Sequence, residues 1–91
     1  MSLIAGIQGT ITSKAADSVI VQVGGGIMLK VHVPTHDLSA LPETGGPIHL
    51  LTHLIVREDD LQLYGFSTEQ GRRLFEMLLG VSQVGPKAAL A

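Results

Sequence analysis

The chain contains no cysteine and no tryptophan, and its aromatic residues are one tyrosine and two phenylalanines. Without cysteine there is no disulfide framework, no thiolate nucleophile and no cysteine-ligated zinc. With so few aromatics the core must be aliphatic, and a platform that stacks single-stranded bases is not expected. The sequence shows neither an apolar run near the roughly 20 residues of a membrane span nor a signal peptide, which predicts a cytoplasmic protein.

Size and net charge restrict further the class of protein to which the chain can belong. The chain has 91 residues, which is one small domain or one domain plus a fragment of another. Its hydrophobic fraction of 45% is enough for a real core and argues against disorder. The formal net charge of −2 does not by itself indicate a nucleic-acid-binding protein.

The two ends of the chain suggest a fragment. Residues 1–3 are interpreted as a vector-derived extension ahead of a native start near Ile4. Residues 86–91 are interpreted as a helix that stops after about one turn, and an isolated helix that short is not stable. We therefore expect the chain to be the N-terminal part of a longer protein.

Apolar and polar residues alternate over five segments, which is typical of half-buried strands. These segments are residues 4–12, 18–23, 27–33, 48–56 and 61–66. The third and fourth strands are predicted to point alternate apolar residues inward: Ile27, Leu29, Val31, Val33, Ile48, Leu50, Leu54 and Val56. The fold class is therefore mainly β, a five-stranded barrel. The oligonucleotide/oligosaccharide-binding (OB) fold is the leading candidate and a Src-homology-like barrel the alternative.

The period changes to that of a helix after the fifth strand. Residues 67–70 read Ser-Thr-Glu-Gln, which predicts a capping box with Ser67 as N-cap. Four apolar residues then recur at helical spacing: Leu74, Phe75, Leu78 and Leu79. Gly80 lies where a C-cap glycine is expected. We predict a barrel domain over residues 1–66 and the start of a helical domain over residues 67–91.

The histidines and the glycine run are not predicted to form a chemical site. His49 and His53 are four residues apart in one strand, which separates them by about 13 Å and prevents them from sharing a metal. Gly24-Gly25-Gly26 is a hairpin turn rather than a phosphate loop, because no helix follows it. No triad or metal spacing is recognisable, so no cofactor, metal or catalytic residue is predicted.

The turn between the fourth and fifth strands has four consecutive charged residues, Arg57-Glu58-Asp59-Asp60. One interpretation is a hairpin tip that is merely solvated. The other is a site that uses negative charge. The local pattern leaves both open.

A second candidate site lies near the end of the chain. The run Val84-Gly85-Pro86-Lys87 resembles the turn of a helix-hairpin-helix. Amides at the start of a helix have no intrahelical partners and lie at the positive end of its dipole, so a phosphate can bind there, and Lys87 adds a full positive charge. An ordinary helix–helix turn is the alternative.

Three stretches together resemble the RuvA family of bacterial junction-recognising proteins: residues 52–59, 63–66 and 80–91. The resemblance implies an OB barrel followed by helix-hairpin-helix motifs. It also implies roles for particular residues: Glu58 and Asp59 as an acidic pin at the junction centre, and Arg57, Val84, Gly85, Pro86 and Lys87 as DNA-phosphate-binding residues. The chain departs from the family at Gln83, where glycine is usual.

The resemblance further implies partners. These are a four-way DNA junction, a RuvB-like AAA+ ATPase bound through a C-terminal domain, and further copies of the chain in a homotetramer. The function implied is a non-catalytic, structure-selective DNA-binding subunit in recombination, repair and the SOS response. The alternative is an OB barrel that acts as a protein–protein assembly module without a direct role on DNA.

Overall fold

A computed structural model describes residues 3–80 of the chain. Its elements are β1 (Gly6–Lys14), β2 (Ser18–Val23), β3 (Ile27–His32), α1 (Thr35–Ala40), β4 (Pro47–Val56), β5 (Leu61–Phe66) and α2 (Glu69–Leu79). Over this range, neither helix has the length and apolar character needed to cross a membrane.

The five strands form a closed barrel in the order β1-β2-β3-β5-β4. Four of the pairings are antiparallel, and β3 pairs with β5 in parallel. The parallel pairing is possible because the chain crosses over through α1 and β4 between these strands. This is the strand order of the OB fold, so the predicted mainly β, five-stranded OB barrel is confirmed.

The inside of the barrel is filled by aliphatic side chains, as the scarcity of aromatics predicts. The buried residues are Ile7, Ile11, Val19, Val21, Val31, Val33, Ile48, Leu50 and Leu63. Two of the residues predicted to point inward do not contribute, since Ile27 is 59% exposed and Val56 is 68% exposed. Both residues lie at the end of a strand next to a hairpin turn. The alternation of apolar residues continues there, but the other strands of the barrel no longer cover the side chains.

The first strand differs from its prediction at both ends. Alternation places it at residues 4–12, whereas β1 spans Gly6–Lys14. Its pairing with β2 shifts register between Ile11 and Ser13, and Ser13 and Lys14 then pair with Ile20 and Val19. The register shift brings these two polar residues into the ladder, which a pattern of apolar residues does not reveal.

A second, smaller core lies outside the barrel, under α2. Phe75 is 1% exposed, and the centroid of its ring lies 5.0 Å from those of Tyr64 and Phe66 on the outer face of β5. Leu78 and Leu79 pack against this cluster. The helical spacing is therefore confirmed at three positions and wrong at Leu74, which is 57% exposed.

The start of α2 lies one residue later than predicted. Thr68 is the N-cap, and its Oγ1 accepts a hydrogen bond from the amide of Gly71 at 3.0 Å. The Ser67 capping box is therefore wrong. The amide of Ser67 instead donates to Oδ2 of Asp37 at 3.1 Å, a partner thirty residues away. Gly80 is the C-cap as predicted, although its φ of −76° is right-handed.

Candidate nucleic-acid interface

The charged turn joins the ends of β4 and β5. Val56 pairs with Leu61, and the amide of Arg57 donates to the carbonyl of Asp60 at 2.8 Å, which closes the turn. The side chains of all four turn residues are exposed. Glu58 and Asp59 therefore occupy the tip of a short ribbon, in the position that the sequence predicts.

The carboxylates of this turn have no ion-pair partner within the part of the chain that the structure describes. Within residues 3–80, Glu58, Asp59 and Asp60 form no side-chain hydrogen bond or ion pair. The ion pairs of the described residues lie elsewhere: one on α1, two within α2 and one between β4 and α2. The tip therefore presents concentrated, unpaired negative charge to solvent. Such charge acts over about 10 Å at 0.1 M salt.

Behind the turn lies the buried Tyr64, whose hydroxyl donates to Oε1 of Gln62 at 2.6 Å. Burial raises the pKa of Tyr64 from its ordinary value of 10.0. Arg57 opposes this rise in pKa, and Asp60 reinforces it. The charges of the turn thus influence the pKa of a residue at the edge of the second core.

We expect the stability of the protein to fall with rising pH above about 10 in part because of Tyr64. A raised pKa in the folded state means that the unfolded chain loses the proton first, so stability is lost as pH rises through the folded pKa. The variant Tyr64→Phe should lose about 1 kcal/mol at pH 7, from the hydrogen bond, and show a shallower alkaline decline. Urea unfolding from pH 8 to 11 measures this difference, and parallel curves for the two proteins would contradict it.

The predicted site residues fall into two groups along the chain. Arg57, Glu58 and Asp59 come together at the turn. The predicted phosphate-binding residues Val84, Gly85, Pro86 and Lys87, together with Gln83, lie outside the described residues.

The two histidines of β4 have separate surroundings. Nδ1 of His53 lies 2.8 Å from Oε2 of Glu76 on α2, and the His53 ring meets that of Phe75 edge-on. His49 lines a shallow open groove with Gln8, Gly9, Pro47 and Ile48. Among residues 3–80, no three His, Asp or Glu side chains are arranged to hold a metal.

The polar side chains that hold α2 to the barrel are not predicted by the sequence pattern. These are Asp37, Arg72 and the pair His53–Glu76. A partial signal was present, because Arg72 follows Glu69 at the i,i+3 spacing of a helical ion pair. The barrel partners of these side chains lie far away along the chain and leave no local pattern.

Comparison with known proteins agrees with this geometry. A family described as the RuvA N terminal domain matches residues 3–65. Similar curated proteins include three with the name "Holliday junction branch migration complex subunit RuvA". The protein of Roseiflexus sp. (strain RS-1) is 48% identical over 97% of this chain, that of Chloroflexus aggregans 52% over 98%, and that of Salinibacter ruber 46% over 93%.

The match covers nearly all of this chain but less than half of those relatives. The aligned region is 44%, 45% and 42% of their respective lengths. The matched family region contains the acidic turn and all of the barrel except the last residue of β5. The fold, the position of this turn and the extent of the match together show that the chain belongs to the RuvA family.

Proposed function

We propose that this chain is part of a structure-selective DNA-binding subunit that recognises Holliday junctions and supports ATP-driven branch migration by a partner motor in recombination and repair. The observation that carries the proposal is the acidic turn, whose carboxylates at Glu58 and Asp59 are exposed and unpaired within the described residues. Membership of the RuvA family indicates that the polyanion repelled by these carboxylates is DNA.

The proposed mechanism is electrostatic and geometric. Contacts to phosphate hold the duplex arms without reading sequence. Carboxylates at the centre repel phosphates, so a continuous duplex that crosses the centre is penalised. An open junction directs its four arms outward and leaves a gap there. In a homotetramer, four copies of the turn would meet at one point and add their charge.

The grip on phosphate is proposed for Val84, Gly85, Pro86 and Lys87, with Arg57 beside the turn. We propose a boundary between the barrel domain, residues 1–66, and the start of a helix-hairpin-helix domain, residues 67–91. The subunit is non-catalytic, acts in the cytoplasm, and couples to a RuvB-like ATPase through a part of the protein beyond this chain. The names of the curated relatives support a role at Holliday junctions and membership of a branch migration complex.

A second candidate is a protein–protein assembly module. It is favoured by the pair Val56 and Leu61, which flanks the acidic turn with side chains 68% and 66% exposed. Exposed apolar residues at a ribbon end are suited to contact another protein. Removal of the charge of the acidic turn separates the two candidate functions, because an assembly module has no preference among forms of DNA.

The test removes the charge of the turn without changing its shape. In a full-length family member built on this chain, Glu58→Gln with Asp59→Asn should tighten binding to plain duplex about tenfold at low salt and change junction binding much less. Fold stability should stay within about 0.5 kcal/mol, because both side chains are exposed. The measurement is the affinity for duplex and for a four-way junction at several salt concentrations.

The matched control removes the same charge elsewhere. Asp17→Asn with Glu43→Gln alters two exposed carboxylates in other loops. It should change duplex and junction binding by similar, small factors. If the acidic-turn variant leaves the junction-to-duplex ratio at its original value at low salt, the turn is a solvated hairpin tip and the proposed function is wrong.

A further inference from the structure

Arg72 on α2 reaches the chain just before β1. Its Nη1 donates to the carbonyl of Ala5 at 3.0 Å, and its Nη2 donates to both carboxylate oxygens of Glu69 at 2.7 and 2.8 Å. The side chain is only 20% exposed, and its Nε is buried without a hydrogen-bond partner in the described part of the protein. An arginine that gives up hydration to this degree is held in place by its surroundings.

The segment that Arg72 reaches is itself attached to the barrel. Oγ1 of Thr52, a fully buried residue of β4, donates to the carbonyl of Ile4 at 2.6 Å, and the amide of Thr52 donates to Ala5 at 3.0 Å. The carbonyl of Ala5 therefore accepts from the barrel and from α2 together. Arg72 thus contacts a fixed part of the barrel.

Asp37 makes the corresponding contact at the other end of the connection. It lies on α1 and is 9% exposed, and its Oδ2 accepts from the amide of Ser67 between β5 and α2. Its Oδ1 lies 3.1 Å from Nε2 of His36. A hydrogen bond to a charged group is stronger than one between neutral groups, so Asp37 fixes the direction in which the chain leaves β5.

These contacts surround the second core. With Phe75 packed on Tyr64 and Phe66, and Glu76 against His53, α2 is joined to β4, to β5 and to the lead-in to β1. The connection that precedes α2 is joined to α1 through Asp37. A helix attached only through one apolar cluster, here Phe75, Leu78 and Leu79, could tilt about that cluster. The polar contacts of Arg72 and Glu76 oppose such tilting.

We propose that Arg72 and Asp37 are positioning residues that lock α2 onto the barrel, so that the acidic turn and α2 move as one rigid body. The functional consequence rests on the proposed function: the C-terminal end of α2, at Leu79, is held at a set distance from the acidic turn. An eleven-residue helix is about 16 Å long, and a tilt of about 20° would move its end by about 6 Å. That displacement exceeds the 3.4 Å rise between nucleotides along one strand, so an unlocked helix could adjust to duplex as well as to a junction.

The rigid body is tested by a distance measurement between spin labels. Because the protein has no native cysteine, Glu58→Cys with Met77→Cys provides labelling sites at the turn and on the exposed side of α2. In the otherwise unchanged 91-residue chain, we expect one narrow distance distribution by pulsed electron resonance. Arg72→Gln and Asp37→Ala should each broaden this distribution by several ångströms, while Asp37→Asn, which keeps an acceptor oxygen, should restore it.

Arg73→Gln is the matched control. Arg73 is the neighbouring residue on the same helix and pairs with the same Glu69, but its side chain is 74% exposed and, within residues 3–80, makes no polar contact with the barrel. Its replacement removes an equal charge and should leave the distribution narrow. A broad distribution before any anchor is changed, or equal broadening by Arg72→Gln and Arg73→Gln, would overturn the proposal.

Binding measurements then test the consequence. In the full-length protein, Arg72→Gln should lower the junction-to-duplex affinity ratio several-fold, and Arg73→Gln should leave the ratio unchanged. If Arg72→Gln broadens the distance distribution but the ratio is unchanged, the positioning role in selectivity is refuted. A failure of the proposed function would show itself separately, because the acidic-turn variant would then also leave the ratio unchanged.

Discussion

Gly9→Ala is expected to lower the free energy of unfolding by about 3 kcal/mol or more, the largest effect of any single methyl group in this barrel. A Cβ at this position would lie 2.1 Å from the carbonyl oxygen of Gln22 and 3.0 Å from Cγ1 of Val21. The carbonyl belongs to the backbone of β2 and cannot turn away as a side chain can. On its other edge, β1 is held by the pairing of Gly9 with Ile48. Relief of the clash therefore requires one of the two ladders to open.

Urea denaturation of the 91-residue chain measures this effect, with Gly25→Ala as the control. Gly25 lies in the turn between β2 and β3, its φ is not positive, and a Cβ there would meet nothing within 4 Å. Its replacement should change stability by less than about 0.5 kcal/mol. Similar effects of the two substitutions would mean that the close approach of β1 and β2 at Gly9 is not a constraint.

Phe75→Ala is expected to cost about 3–5 kcal/mol, the usual range for truncation of a buried phenylalanine. The ring is the centre of the second core and touches both other large aromatic side chains of the chain. A small domain has a total stability of only about 5–15 kcal/mol, so the variant should be close to unfolding at 37 °C. Thermal unfolding followed by circular dichroism gives the measurement.

The control for Phe75 lies two residues further along the same helix. Met77 is 71% exposed, and Met77→Ala should change stability by less than about 0.5 kcal/mol. If α2 is locked to the barrel, the loss in Phe75→Ala should appear as one cooperative transition shared by helix and strands. A loss of helical signal alone, with the strands unaffected, would show that α2 docks weakly and contributes little to the barrel.

Local pattern predicted those parts of the fold that are decided by neighbours along the chain. The second and fifth strands have the predicted bounds, Ser18–Val23 and Leu61–Phe66, because turn residues flank both of them. The acidic turn was placed correctly for the same reason. The aliphatic core followed from composition, since only three aromatics were available and all three are used in the second core.

The parts that were missed depend on residues distant in sequence. Ser67 has the right chemistry for an N-cap, but its amide is already bound by Asp37, so the cap falls to Thr68. The spacing of His49 and His53 excludes a shared metal but does not indicate that His53 contacts Glu76 on α2. Alternation also predicted burial for Ile27 and Val56, because a periodic pattern does not indicate where the barrel wall ends.

The order of the strands also affects how the chain folds. Three pairings join strands that are neighbours in sequence, β1 with β2, β2 with β3, and β4 with β5, and these close short loops at little entropic cost. The two that complete the ring, β1 with β4 and β3 with β5, connect residues more distant along the chain. The polypeptide is thus two locally pairing halves, β1–β3 and β4–β5 with α2, joined by the segment that contains α1. The union of these halves requires the long-range contacts that make barrel topologies fold slowly, so we expect ring closure, rather than any of the three hairpins, to limit the rate of folding.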